Sequence, residues 1–321
     1  MSRPPACFVV PYHPDGPHSP GYLREAVGSV LAQTDRDWLL AIVHDPRPGT
    51  SDQRSWLAEL VAPVADRSTV IHLPENQGPG GARNAGVDWA LGQGADLVVF
   101  LDADDVCEPH RLAALRTALT DRPRAGMAFS AFTVIDEASR PRHPDELPEA
   151  VAEILDTQAD EDRILERPWR EMTCVHGYMS LTSTVAVRAA VAERCRFPRT
   201  MVSEDAHAFL RMFALCPEVV YLADPLTRYR VPRVPRGTAS RQREGGAFYW
   251  TKALVDADSC FRVLMQEVAS GACTPEEALD VLDAFWRRTG ATLRRAGAAP
   301  VAAVVGELAY GAGGRMSPDG R

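Results

Sequence analysis

The chain has 321 residues, of which 45% are hydrophobic and 24% are charged, so it has the composition of an ordinary globular protein with a large core. A formal net charge of −8 argues against a general nucleic-acid binder. The sequence shows no Cys-x-x-Cys pair, so we expect neither a zinc site nor a disulfide framework. It also shows no signal-peptide pattern and no run of eighteen apolar residues. We therefore expect no transmembrane segment and a cytoplasmic location.

The first half of the chain alternates strand and helix patterns. This order predicts an α/β fold with a mainly parallel sheet. The predicted strands cover residues 7–11 (ending at Pro11), 37–45, 68–76 and 97–101, and the predicted helices cover 21–33, 56–61 and 78–94. Polar residues follow the carboxyl ends of the strands, where ligands bind in such sheets: Tyr12, Asp45, Asn76 and Asp102.

The fourth strand, Leu97–Leu101, is followed at once by Asp102, Asp104 and Asp105. Three acids within four residues repel one another, and a bound cation would neutralise them. Carboxylate oxygens are the ligands that Mg²⁺ or Mn²⁺ prefers. The alternative interpretation is a polar turn in which an aspartate caps the next helix.

A glycine-rich segment opens the predicted helix 78–94. Its glycines Gly78, Gly80 and Gly81 allow the backbone to turn tightly and to approach a ligand, and Arg83 follows them at the start of the helix. A helix N-terminus with a nearby arginine favours an anion. The alternative is a tight strand-to-helix turn with no ligand.

The second half gives less regular patterns. Residues 111–119 predict a helix, 125–136 a strand, 137–168 a mobile excursion or short acidic helices, 174–191 a loop before a strand or strand–helix junction, 203–215 a helix, and 219–240 a strand before an arginine-rich loop. Two amphipathic helices are predicted between Ala247 and Arg295, with apolar stripes that form core or a subunit interface: Leu254, Phe261 and Leu264, then Leu279, Leu282, Phe285 and Trp286.

The predicted helix at 203–215 begins with Ser203, Glu204 and Asp205. Ser as N-cap followed by acids is an ordinary helix start. An acid at this point could instead serve as the carboxylate base that removes a proton from an attacking hydroxyl.

Four segments together resemble the N-terminal half of family 2 glycosyltransferases of the GT-A fold: VVPYHP, the Asp45 loop, NQGPGGARNAGVDWA and VVFLDADD. The resemblance covers about residues 7–118, with weaker echoes to about residue 240. It implies a GT-A-like sheet flanked by helices, followed by a helical C-terminal extension. The implied divisions are a glycosyltransferase domain over 1–240 (nucleotide-sugar half 1–120, acceptor half 121–240), the extension over 241–310 and a disordered tail over 311–321.

The resemblance also implies roles for residues of the first half. Pro11 and Tyr12 would line the pocket of the nucleotide base, and Asp45 would meet the base. Arg83 would lie by the diphosphate, and Asp102 would contact the ribose or the metal. Asp104 would be the chief metal ligand, with Asp105 as the competitor for that role. Asn76, Gly81 and Ala103 complete the predicted donor site. The sequence departs from the family's usual DDGS-like loop at residues 44–48.

For the second half, the resemblance implies that Asp205 is the catalytic base with Glu204 as its neighbour. His176, Tyr178 and Ser183 would contact the acceptor, or they are half-buried polar residues of a junction. Arg233 or Arg236 would touch the diphosphate, or they are surface charge.

The implied activity is a metal-dependent, inverting sugar transfer from a nucleoside diphosphate sugar, with a UDP-sugar favoured, to a hydroxyl or similar nucleophile. The expected cofactor is Mn²⁺ or Mg²⁺. The acceptor would be a soluble natural product or cell-envelope glycan precursor, and the C-terminal helices could join two copies in a homodimer. Two alternatives remain: a sugar nucleotidyltransferase, although the G-x-G-T-R-like loop typical of one is missing after the first strand, and a nucleotide-sugar-binding module without turnover.

Overall fold

The computed structural model describes residues 3–47, 53–233 and 245–309, and within them nine strands form one sheet. The strands are β1 (Ala6–Tyr12), β2 (Trp38–His44), β3 (Ser68–His72), β4 (Leu97–Phe100), β5 (Val106–Cys107), β6 (Ala125–Ile135), β7 (Arg163–Glu166), β8 (Val185–Arg188) and β9 (Glu218–Arg230). Their order across the sheet is β3-β2-β1-β4-β8-β6-β9-β5, and β7 also pairs with β9.

The predicted α/β sheet is confirmed, and its direction changes between the two halves of the chain. β1 to β4 pair in parallel, as the alternating pattern predicts. β8 runs antiparallel to both β4 and β6, and β5 and β7 run antiparallel to β9, so the complete sheet is mixed. β6 itself is parallel to β9. Between β6 and β8 the chain passes through α5 (Glu149–Leu155), β7 and α6 (Pro168–Glu171), and β8 then runs antiparallel to β6.

Helices cover both faces of the sheet, and a hydrophobic core lies on each side. The helices are α1 (Ser19–Leu31), α2 (Arg54–Val61), α3 (Gly78–Gly92), α4 (Arg111–Asp121), α5 (Glu149–Leu155), α6 (Pro168–Glu171), α7 (Ala189–Arg194), α8 (Glu204–Leu215), α9 (Phe248–Ala269), α10 (Pro275–Arg295) and α11 (Ala299–Leu308). Coverage on both faces explains why β1 and β4 consist of continuous apolar residues.

The prediction that the first strand stops at Pro11 is wrong, because β1 continues through Pro11 to Tyr12. The backbone of Val9 faces β4, since the Val9 carbonyl accepts a hydrogen bond from the Leu101 N–H. The backbone of Pro11, two residues later, faces the same side. The pairing with β4 ends at Phe100, opposite Val9. Proline therefore sits where no further donor is needed, and the strand tolerates it.

The acidic segment 137–168 contains a short helix, α5, and a short strand, β7. The prediction allowed for the short helix but not for the strand. β7 lies at the edge of the sheet against β9, and three of its four residues are exposed, so the sequence carries little hydrophobic pattern there. The pairing itself stabilises this strand.

The C-terminal extension contains the two predicted helices, α9 and α10, and a third, α11. α9 packs against α8, so the extension is joined to the core of the sheet domain. Leu264 and Phe285 of the predicted stripes are buried, whereas Leu254, Phe261 and Leu279 are exposed. Among the described helices, none has the length and apolar character that a membrane crossing requires. The predicted disordered tail, 311–321, lies outside the described residues.

Candidate functional site

The aspartates that follow β4 divide into a pair at the cleft and one structural residue. Asp104 is exposed, and Asp102 keeps 27% of its side chain accessible. Asp105 is fully buried, and its carboxylate accepts a hydrogen bond of 2.8 Å from the backbone N–H of Arg230. Asp105 therefore ties the acidic loop to β9, and Asp102 and Asp104 are the members of the cluster that a ligand can reach.

Crowding of negative charge shifts the titration of this cluster. Desolvation in the cleft, and next the charge of Asp102, raise the pKa of Asp104 to about 6. Burial, and then Asp104 and Asp102, raise the pKa of Asp105 well above its usual range. A divalent cation would relieve this repulsion, and carboxylate oxygens are suitable ligands, so the donor set fits Mg²⁺ or Mn²⁺. Within the described chain no three His, Cys, Asp or Glu side chains form a metal cluster, so phosphate oxygens or water would have to complete the coordination.

Arg83 connects the acidic loop to the start of α8. Its guanidinium donates to Asp102 Oδ1 at 2.7 Å and to Glu204 Oε1 at 2.8 Å, and the residue is only 4% exposed. Burial opposes the charge on Arg83, but Asp102, Glu204 and Asp205 outweigh it, so the pKa of Arg83 is raised. Two acids that lie far apart in the sequence thus meet at one arginine.

Ser203 does not cap α8, so the interpretation of Ser203-Glu204-Asp205 as an ordinary capping run is wrong. Its hydroxyl makes no cap hydrogen bond and donates instead to Asp256 of α9 at 2.6 Å. The backbone of Ser203 has φ of 60°, a left-handed conformation that a non-glycine residue adopts at a cost. The turn directs Glu204 inward, where burial and then the charge of Asp205 raise its pKa to about 7.

Asp205 is held by two hydroxyl groups. Tyr178 donates to Asp205 Oδ2 at 2.9 Å, and the Thr182 hydroxyl lies 3.3 Å from the same oxygen. Tyr178 also stacks on Phe209 of α8. Burial, and next the negative charge of Asp205, raise the pKa of Tyr178 well above its usual range, so the phenol remains a donor. The carboxylate is thus fixed in position, and among the described residues no cation lies within ion-pair distance of it.

The ends of β1, β2 and β3 form a second polar group beside the acidic loop. Tyr12 is buried and donates to Gln53 at 2.8 Å, and Pro11 is half-buried next to it. Asp45 is buried and accepts a hydrogen bond of 2.8 Å from the Gln77 N–H, so it fixes the entry to α3. Burial raises the pKa of Asp45, although this N–H opposes the shift. The exposed Asn76 accepts from the Gly78 N–H at 3.1 Å.

The glycines at the start of α3 pack against protein. Gly78 has φ of 70°, which an L side chain rarely adopts. A Cβ at Gly80 would lie 2.2 Å from the carbonyl oxygen of Pro198, and one at Gly81 would lie 2.5 Å from Gln77 Cβ. These contacts favour the interpretation as a tight strand-to-helix turn. Contact between Gly81 and a donor stays a prediction, as it does for Ala103, which is half-buried between Asp102 and Asp104.

The residues predicted to meet the acceptor lie on the α8 side of the site. His176 is exposed and pairs with Glu171 at 3.2 Å, and both His176 and Tyr178 line one cavity. Ser183 is buried, and its hydroxyl accepts from the Asp102 N–H at 2.9 Å. Ser183 therefore supports the acidic loop, which is the junction role that the sequence left open.

Two residues of β9 belong to the site, although sequence reasoning gave them no role in it. Arg230 is buried and donates through Nε to the Asp104 carbonyl at 2.7 Å and through Nη2 to Glu25 at 2.8 Å. Tyr229 precedes Arg230 on β9, and burial, and next the charges of Asp105 and Asp104, raise the pKa of Tyr229 well above its usual range. The signal in the sequence is the Arg228-Tyr229-Arg230 segment, which lies in the predicted strand and arginine-rich loop at 219–240.

Arg233 is exposed and pairs with the buried Asp136 at 3.3 Å and with the exposed Glu146 at 2.7 Å. This position favours the interpretation as surface charge. Arg236 lies outside the described residues.

Solved structures of similar architecture define the class of fold. S. aureus TarS 1–349 in complex with UDP aligns with a TM-score of 0.60 at 16% identity, over 95% of this chain and 87% of that chain. TarS 1–349 in complex with UDP-GlcNAc aligns with a TM-score of 0.58 at 16% identity, over 94% and 90%. The fold is GT-A-like, as predicted.

Sequence comparison gives the family. A model described as glycosyl transferase family 2 matches residues 7–186, more than half of the chain. The chain belongs to glycosyl transferase family 2. Succinoglycan biosynthesis protein ExoW of Rhizobium meliloti is 41% identical over 113 residues, which are 35% of this chain and 33% of that protein. The teichuronic acid biosynthesis glycosyltransferase TuaG of Bacillus subtilis, described as putative, is 29% identical over 121 residues, which are 37% of this chain and 45% of that protein.

Proposed function

We propose that this protein transfers a sugar from a nucleoside diphosphate sugar, with a UDP-sugar as the favoured donor, to a hydroxyl of an acceptor and inverts the anomeric centre. One observation carries the proposal: Arg83 bridges Asp102, which follows β4, and Glu204, which precedes Asp205. This bridge fixes a candidate donor-binding carboxylate relative to a candidate base. Donor and acceptor can therefore meet in a defined geometry.

Asp205 is the proposed general base. In the reaction the acceptor oxygen forms a bond to the anomeric carbon on the face opposite the diphosphate. The bond from that carbon to the diphosphate oxygen breaks, and the acceptor proton passes to Asp205. The hydrogen bonds from Tyr178 and Thr182 both reach Oδ2, which leaves Oδ1 for the incoming hydroxyl apart from its contact with the Ala206 N–H. Glu204 positions Arg83 and does not take the proton.

Asp104 and Asp102 are the proposed ligands of Mn²⁺ or Mg²⁺, with Asp104 as the chief ligand. The exposure of Asp104 and the nearby negative charge of Asp102 support this assignment. When bound, the ion supplies positive charge that offsets the charge building on the leaving diphosphate. Arg83 is already paired with two carboxylates, so its proposed part near the diphosphate is to orient Asp102.

The proposed donor site extends from the acidic loop to the ends of β1, β2 and β3. Pro11 and Tyr12 would lie against the base, Asp45 would meet the base and the exposed Asn76 would lie at the rim, since Tyr12, Asp45 and Asn76 form one polar group around the entry to α3. TarS, which shares the fold, is described in complex with UDP and with UDP-GlcNAc. This likeness supports a UDP-sugar as the first donor to test.

The proposed acceptor is a natural product or a precursor of a cell-envelope glycan, and a cytoplasmic location is the working assumption. The names of ExoW and TuaG refer to succinoglycan and teichuronic acid biosynthesis, which supports a glycan precursor. The chain matches about a third to a half of the length of these relatives, so their substrates do not transfer directly.

A donor screen followed by product analysis tests the proposal. Thermal shift with UDP-, GDP- and dTDP-sugars in the presence of Mn²⁺ identifies the donor, because a ligand of the folded state raises the melting temperature. We expect the stabilising donor to release its nucleoside diphosphate on incubation. Release of pyrophosphate from a nucleoside triphosphate and a sugar 1-phosphate would instead support the nucleotidyltransferase alternative, and binding without any release would support the silent module.

A further inference from the structure

A cavity of about 410 Å³ lies between the start of α8, residues 172–178 and the C-terminal helices α9 and α10. Its volume is in the usual range for a small-molecule site. Much of its wall is apolar, with contributions from Met172, Leu210, Phe248, Phe285 and Leu293. Three of these five residues, Phe248, Phe285 and Leu293, come from the extension, so the first 240 residues alone could not form the cavity.

The cavity shares a wall with the proposed base. Tyr178 and Ala206 both line it, and the Tyr178 hydroxyl lies 2.9 Å from Asp205 Oδ2. A molecule in the cavity would therefore contact Tyr178, the residue that holds Asp205, while neither Asp102 nor Asp104 lines this cavity. The cavity is thus next to the proposed base and separate from the proposed metal ligands.

Most charges that line the cavity are already paired. Lys252 lies 2.8 Å from Asp256, and Arg295 lies 2.8 Å from Glu153. Because each cation already has a carboxylate within salt-bridge distance, these four side chains add no net charge to the cavity.

Arg288 also lines the cavity, but its contacts differ from those of Lys252 and Arg295. Its Nε donates to the Thr173 carbonyl at 2.8 Å, but among the described residues no carboxylate lies within ion-pair distance of it. A Cβ at Gly177 would lie 2.7 Å from its Nη1, so the guanidinium lies close against the backbone at the cavity wall. Burial lowers the pKa of Arg288, which reflects a cation that is poorly solvated. Such a group gains most from an anion placed against it.

We propose that this cavity is the acceptor site and that it binds a small molecule with an apolar body and one carboxylate or phosphate group. The anionic group pairs with Arg288, the body packs against the apolar wall, and the acceptor hydroxyl lies toward Tyr178 and Asp205. This inference rests on the proposed function for its catalytic part, because only a transferase has an acceptor. The binding of an amphipathic anion does not depend on that activity.

Two fluorescent probes test the binding. 8-Anilinonaphthalene-1-sulfonate is an amphipathic anion, and N-phenyl-1-naphthylamine is a neutral molecule of similar shape. We expect Arg288→Gln to weaken binding of the anionic probe about tenfold to a hundredfold and to leave the neutral probe unchanged. The control Arg287→Gln removes an exposed arginine on the same helix and should change neither probe, while Arg288→Lys should restore part of the anionic affinity.

The variant Leu293→Trp tests whether the probes bind in this cavity. The larger side chain fills the cavity and should abolish binding of both probes. Unchanged binding of the anionic probe in Arg288→Gln, loss of both probes in that variant, or insensitivity to Leu293→Trp would each overturn the proposal. Saturating anionic probe should also slow the hydrolysis of UDP-GlcNAc by the wild-type protein, and unaffected hydrolysis would overturn the assignment as acceptor site. A wild-type protein that binds the probes as expected but hydrolyses no nucleotide sugar would instead count against the proposed function.

Discussion

At the scale of single residues, Arg83 is the centre of the site. The sequence predicts Arg83 at the start of a glycine-rich helix, and the structure confirms this position and adds its contact with Asp102. Its second partner, Glu204, lies 121 residues away, and no local pattern predicts a pair at that separation. Arg230 was missed for the same reason, because its contacts with Glu25 and the Asp104 loop depend on how β9 passes the site.

We expect Arg83→Gln to lower the free energy of unfolding by about 3–5 kcal/mol, because it leaves the buried Glu204 and the partly exposed Asp102 without their shared cation. Urea unfolding monitored by circular dichroism measures the change. Arg124→Gln is the control: it removes a pair with Glu218 in which Arg124 is 75% exposed, and we expect a loss below about 1 kcal/mol. Equal losses in the two variants would contradict the central role of Arg83.

Glu204 gives a prediction on pH. Its pKa rises from 4.5 to about 7 on folding, first through burial and next through Asp205. An acid with a raised folded-state pKa contributes stability below its unfolded pKa and loses that contribution as pH rises through the folded value. Between pH 4.5 and about 7, the wild-type protein should therefore lose up to about 3 kcal/mol of stability relative to Glu204→Gln. Urea unfolding of both proteins across this range measures the difference, and a difference that is independent of pH would show that Glu204 titrates normally.

At the scale of elements, the packing of α3 against residues 197–198 sets the depth of Arg83. Asn84 holds this segment with two hydrogen bonds, donating to the Phe197 carbonyl at 2.9 Å and accepting from its N–H at 3.0 Å. Gly80 allows the approach. The sequence predicted α3 and the need for glycine at its start. It left open whether a ligand or only the protein packs against these glycines, because it could not show that residues 197–198 lie beside them.

We expect Gly80→Ala to destabilise the protein by about 1–3 kcal/mol, since the new methyl group would lie 2.2 Å from the Pro198 carbonyl oxygen and the segment is held by Asn84. Gly92→Ala, at the end of the same helix, is the matched control. Nothing lies within 4 Å of its Cβ, so helix propensity should make it neutral or up to about 1 kcal/mol stabilising. Thermal unfolding of both variants measures the difference, and a neutral Gly80→Ala would refute the close packing.

The N-terminus of α8 shows where element prediction fails. Ser203-Glu204-Asp205 has the composition of a capping run, yet Ser203 bonds to Asp256 of α9 instead. A cap is a local rule, whereas this contact needs a helix that begins more than forty residues later. The first four strands, in contrast, were predicted within a few residues, and for β1, β2 and β4 the reason is that buried strands show as continuous apolar runs.

At the scale of the whole molecule, the sequence predicted the α/β class and the helical extension. It could not predict the reversed strand β8, the edge strand β7 or the cavity between α8 and the extension. These features arise from packing between distant segments. Short or partly exposed elements such as β7 carry too little hydrophobic pattern for this packing to be predicted from the sequence. The motif-bearing first half is therefore the part of the site that sequence reasoning reaches best.

The extension also carries an exposed apolar face on α9. Trp250, Leu254, Phe261 and Met265 are 42%, 71%, 56% and 54% exposed. We keep the prediction that this face joins two copies, and we expect light scattering after gel filtration to give a dimer for the wild type and a monomer for the double variant Leu254→Asp, Phe261→Asp. Val175→Asp, at an exposed apolar residue elsewhere, should remain a dimer. A monomeric wild type at tens of micromolar would reject the prediction.

The central claim is that Asp205 removes the acceptor proton beside a nucleotide held by the β4 aspartates. The most direct measurement compares Asp205→Asn with the wild type in sugar transfer or hydrolysis of the donor and, by calorimetry, in binding of the nucleotide with Mn²⁺. We predict that turnover falls about 10²- to 10⁴-fold while nucleotide affinity stays within a few-fold, because only proton removal is lost. Turnover that survives in Asp205→Asn would contradict the account.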